Sequence, residues 1–107
     1  MRAILINPEN QTVTEIDQPE GLQAIYDALE CTTISCPHIG STVYSIYCDE
    51  EALFKPSGFA YRMDIHHSPL IGKGLILDCN EDGETIGTDA DIGVISQSIT
   101  WLGEQQF

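Results

Sequence analysis

Apolar residues in this chain recur in short alternating runs, each stopped by proline, glycine or asparagine, and this pattern constrains the fold more than any other feature. Successive side chains of a strand point to opposite faces, so a run of period two buries one side of a sheet. Ile4 and Ile6 alternate with Ala3 and Leu5 until Asn7-Pro8, and residues 11–16 alternate in turn, which predicts an opening hairpin. Residues 31–39 are rich in β-branched side chains and read as extended, with Pro37 marking an edge. Residues 42–48 place Val43, Ser45 and Tyr47 on one face and Tyr44, Ile46 and Cys48 on the other. Phe59, Tyr61, Met63 and Ile65 alternate with Ala60, Arg62 and Asp64, and Leu75-Ile76-Leu77 reads as a short buried strand. Asn80-Glu81-Asp82-Gly83 then supplies a turn in which Gly83 can take positive φ.

Two segments carry a helical period instead. Leu22, Ile25, Tyr26 and Leu29 fall at i, i+3, i+4 and i+7, with Gln23, Asp27 and Glu30 on the opposite side, and Asp17 to Glu20 has the form of a capping box. Thr88-Asp89-Ala90-Asp91 repeats a Thr-x-x-acid start, after which Ile92, Ile95, Ile99 and Leu102 predict a second helix. The β-branched Val94, Ile95, Ile99 and Thr100 also fit strand alternation in part, but the helical reading is preferred. The expectation is one α+β domain over residues 1–107, mainly antiparallel sheet with about two helices.

Charge limits what such a domain can touch. Seventeen Asp and Glu against four Lys and Arg give a formal net charge of -13. Residues 1–53 hold nine acids and one base, residues 54–77 hold Lys55, Arg62 and Lys73 against Asp64, and residues 78–107 hold seven acids and no base. Direct nucleic-acid binding is disfavoured, because phosphate recognition needs clustered cations. No apolar run approaches the ~20 residues of a membrane helix, and no signal-peptide pattern opens the chain, so a cytoplasmic address without membrane contact is expected. Cys31, Cys36, Cys48 and Cys79 match no zinc spacing and no secreted disulfide framework, so buried, reduced thiols are expected.

The opening residues 2–10, Thr14-Glu15-Ile16, residues 46–51, residues 69–77 and Glu81-Asp82-Gly83-Glu84 resemble a family of small proteins known only as a domain of unknown function. Its members look like products of bacteriophage and mobile-element genes. The resemblance supplies no catalytic residues; it implies a phage or plasmid setting, in which small acidic proteins often bind host proteins.

Candidate chemistry is sparse. Adjacent His66 and His67 point to opposite faces of a strand and need further ligands, from Asp64, His38 or a cysteine, to hold a metal, so no metal is expected. A cysteine nucleophile would need a cation or helix N-terminus to lower its pKa, and the acidic surroundings do the opposite. Gly72-Lys73-Gly74 lacks the remainder of a phosphate loop, and Asp78 to Glu84 departs from the EF-hand spacing. No catalytic residue and no cofactor is therefore assigned.

What remains is binding. The expected function is a non-enzymatic accessory protein whose carboxylates attach to a basic or nucleic-acid-binding host protein, as a phosphate-backbone mimic where they form rows. The candidate contacts are Asp49, Glu50, Glu51, Asp78, Glu81, Asp82 and Glu84, together with Tyr61 and Arg62 of the basic segment. A homodimer pairing that segment with an acidic face is also compatible. The alternative is a small-molecule or nucleotide-binding module, with or without hydrolytic activity, on Lys55, Arg62, His66, His67 and Lys73.

Overall fold

A computed structural model of the chain describes residues 1–35, 45–51, 57–64 and 69–106. The opening alternation forms the expected hairpin: β1 (Arg2–Asn7) pairs antiparallel with β2 (Thr12–Asp17), from Arg2 opposite Asp17 to Asn7 opposite Thr12. The apolar run at 75–77 becomes the centre of the larger sheet. There β7 (Gly74–Cys79) lies between β1 and β4 (Ser45–Asp49), with Ile76 opposite both Ile4 and Ile46. The two-residue β3 (Ile34–Ser35) closes the β4 edge, and β8 (Thr85–Ile86) folds back on the end of β7. Gly83 supplies the positive φ, +81°, that this last reversal requires.

A second sheet of three strands orders β6 (Leu70–Ile71), β5 (Ser57–Met63) and β9 (Ile99–Gln106). Every pairing among the described residues is antiparallel. Helix α1 (Leu22–Leu29) covers one face of the larger sheet, where Ile25 and Leu29 pack on Ala3, Leu75 and Leu77. The smaller sheet and α2 (Ile92–Gln97) cover the other, where Tyr61, Met63, Leu70 and Ile95 meet Ile4, Ile6, Ile46 and Ile76. A strand buried on both faces thus carries the core, and each fully buried Ile or Leu on it is worth about 2–3 kcal/mol relative to exposure. The result is a small domain of mostly antiparallel sheet with two helices.

Three sequence expectations need correction. The capping box at Asp17 does not form: β2 pairing runs through Asp17, whose carboxylate accepts from the Met1 amine at 3.2 Å, and α1 starts at Gly21 with no side-chain cap. The second helix is shorter than expected, ending at Gln97, and Ile99 and Leu102 belong to β9. Its cap is Asp91, whose Oδ1 accepts from the backbone N–H of Gly93 and Val94, while Thr88 is buried one turn earlier. Arg2 fastens that approach to β1 by donating from Nη1 to the carbonyls of Thr88 and Ala90. The expected continuation of β5 through Ile65, the break at His66-His67 and the extended reading at 36–39 lie outside the described residues.

Candidate functional site

The direction of β7 separates the two acidic turns. Cys48 pairs with Gly74, so Asp49, Glu50 and Glu51 leave the sheet beside Lys73, while Asp78, Glu81, Asp82 and Glu84 lie at the other end of β7. From Lys73 to Asp78 is about 17 Å of extended chain at ~3.4 Å per residue. The strand between them is Leu75-Ile76-Leu77, fully buried, so the sheet itself carries no acidic path from one end to the other.

Helix α1 provides that path on the outside. Its first turn shares a cleft with Glu84, Thr85 and Ile86, and its last residues share another with Asp49 and Lys73, so it spans the sheet from one acidic turn to the other. The apolar stripe of Ile25 and Leu29 faces inward and leaves Glu20, Asp27 and Glu30 exposed. Glu20 lines one cleft with Glu84, and Glu30 lines the other with Asp49, so an exposed carboxylate flanks α1 beside each acidic turn. Asp49 is partly covered, its Oδ1 accepting from the Glu51 N–H at 2.9 Å; Glu50, Glu51, Glu81, Asp82 and Glu84 are exposed. Asp78 is half-buried on the strand and stands apart from the exposed turn that follows it.

The basic segment divides. Lys73 donates to Glu30 at 3.2 Å across the C-terminal end of α1 and is three-quarters covered, so it neutralises one carboxylate of the acidic path. Arg62 is exposed on β5, opposite Thr100 of the smaller sheet. Tyr61 is corrected: proposed from sequence as a surface contact, it is fully buried between the sheets, edge-on to Trp101 at 6.2 Å. Burial, and next the nearby Cys48 thiol, push its phenol well above the ordinary tyrosine range. Lys55, His66 and His67 lie outside the described residues; of the two described cations of the alternative pocket, Arg62 is on β5 and Lys73 in the connection between β6 and β7.

Two clefts accompany this arrangement. One, of about 180 Å³, lies at the Asp49 end over Pro8, Leu29, Phe59 and Ile71, with Glu30 and Lys73 at its rim. The other, of about 530 Å³, opens between the first turn of α1 and the β7–β8 turn. Sequence reasoning missed the second, because Leu22 was expected in the core and is instead 56% exposed at its edge. The placement of Leu22 directly after Gly21, at the first helical position, was the available signal. Of the cysteines expected to be buried, Cys48 is; Cys31 is half-buried and Cys79 exposed. No group of three or more potential ligands able to hold a metal occurs among the described residues, and no helix among them is long and apolar enough to cross a membrane.

Comparison with known proteins gives one result. A family model described as "Domain of unknown function (DUF3846)" matches residues 1–100, and the chain belongs to that family. No curated protein and no solved structure matches it.

Proposed function

We propose that this member of the family is a non-enzymatic accessory protein, of phage or mobile-element type and acting in the cytoplasm, that binds a cationic surface of another protein. One observation carries the reading: the exposed Glu20 and Glu30 that flank α1 share clefts with Glu84 and Asp49, at the two ends of β7, which supports an acidic strip along the outer side of the helix. A field of this sign raises the encounter rate with basic partners and repels nucleic acid itself.

Charge density decides how far mimicry of a phosphate backbone can go. The strip holds Glu20, Asp27, Glu30, Asp49, Glu50, Glu51, Glu81, Asp82 and Glu84 within a molecule whose longest extent is 38 Å. Duplex DNA of that length carries about 22 phosphates, and one of its strands about 11, at ~3.4 Å per phosphate. Nine carboxylates are close in number to the phosphates of one such strand, which supports imitation of a single strand directed at a host nucleic-acid-binding or defence protein.

The test starts from a nucleic-acid-binding protein captured on the immobilised chain and then purified. Its affinity should fall linearly in log–log terms as salt rises from 50 to 300 mM, and a short DNA duplex should compete for it. Binding that ignores salt would overturn the electrostatic reading; binding that follows salt but ignores the duplex would remove mimicry and leave a cationic protein partner.

A further inference from the structure

Three large apolar side chains are exposed among the described residues, and two of them, Leu22 at 56% and Ile86 at 39%, flank the same cleft. Its floor is Ile25 and Tyr47, and Tyr47 is held there by the 3.1 Å hydrogen bond between its hydroxyl and that of Thr85. Glu20 and Glu84 line it as well, and so does Met1, whose amine is paired with the Asp17 carboxylate at 3.2 Å. At about 530 Å³ the cleft lies within the range that accommodates large side chains, and an apolar centre inside a charged rim is the anatomy of a protein interface.

We propose that this cleft is the docking site for a basic segment of the partner protein, which inserts one large apolar side chain between Leu22 and Ile86 and sets arginine or lysine against Glu20 and Glu84. The inference rests on the acidic-strip reading above and adds to it the place of contact and the apolar anchor. Charge selects the occupant: a second copy of this chain would bring another -13 to a rim that is itself acidic, whereas a cationic segment neutralises it. The exposed pair matters because both side chains line one cleft, where together they supply an apolar anchor inside the charged rim.

The probe is a nine-residue peptide with one leucine between two pairs of arginines, titrated into the full chain while backbone amide shifts are followed. Two control peptides replace the leucine by serine or all arginines by glutamine. The expected result is saturable shifts concentrated at residues 20–25, 47 and 84–86, with affinity about tenfold weaker for the serine peptide. Leu22→Ser and Ile86→Ser, both at exposed positions, should each weaken the leucine peptide several-fold while leaving amide dispersion elsewhere unchanged. Equal binding of the leucine and serine peptides, or shifts elsewhere on the strip, would overturn the cleft as the docking site and leave the acidic-strip reading standing. Failure of both arginine peptides to bind at low salt would overturn the two together, and self-association at the cleft seen by sedimentation would replace the basic segment with a second copy.

Discussion

At the scale of single residues, the most consequential side chain is Tyr61. Its hydroxyl is buried with no hydrogen-bond partner among the described residues, and it points at Gly74, where any Cβ would fall on the phenol oxygen and close to Ile46. Glycine is required there for room. Tyr61→Phe removes an unpaired polar atom and should stabilise the protein by about 1 kcal/mol in urea denaturation. Gly74→Ala should cost about 2 kcal/mol or more, and part of that cost should vanish in the Tyr61→Phe background, since the clash needs both atoms. The same phenol sets a pH dependence. Its folded-state pKa lies above the unfolded value near 10, so the stability it contributes is complete below pH 10 and is lost as pH rises beyond it. Unfolding at pH 8 and pH 11 should therefore show a loss in the wild type that Tyr61→Phe lacks. None of this was legible in the sequence. Alternation placed Tyr61 correctly on the face of Met63 and opposite the exposed Arg62; the register shift between Ala60 and Tyr61, where both are buried, has no such signal.

At the scale of elements, local pattern was a good guide wherever one periodicity stood alone. The β1–β2 hairpin, the buried run in β7, the turn at 80–83 and α1 were all readable, because alternation, turn residues and helical spacing agreed. The boundary between α2 and β9 was not, because the Ile92, Ile95, Ile99 spacing continues across it. Tertiary pairing with β5 at seven positions outweighs one further helical turn of β-branched side chains. The start of α1 was misplaced for a related reason: an acid three residues before another acid caps nothing while its backbone is still paired in a strand, as Asp17 is with Arg2. These assignments make opposite predictions for two acids. Asp91→Ala should cost about 1 kcal/mol by removing the cap of α2, whereas Glu20→Ala, with no side-chain cap at α1 to lose, should stay within about 0.5 kcal/mol; equilibrium urea denaturation of both checks this.

At the scale of the whole molecule, segment counts revealed two acidic regions around a basic one, but not how they meet. That depended on α1 crossing the sheet from the Glu84 end to the Asp49 end, a long-range arrangement no local pattern encodes. A chain of net charge -13 with few cations to pair is strained by self-repulsion, so its thermal midpoint should rise as sodium chloride increases from 10 to 200 mM, measured by circular dichroism. The proposed contact for a cationic partner is this acidic surface, chiefly its Glu84 end. It is tested most directly by measuring partner affinity against salt for the wild type, for Asp49→Lys/Glu50→Lys/Glu51→Lys and for Glu81→Lys/Asp82→Lys/Glu84→Lys, each first shown to be folded. The second triple variant should lose at least about tenfold in affinity and show a shallower salt slope, with a smaller loss for the first. Unchanged affinity and unchanged slope in both would contradict it.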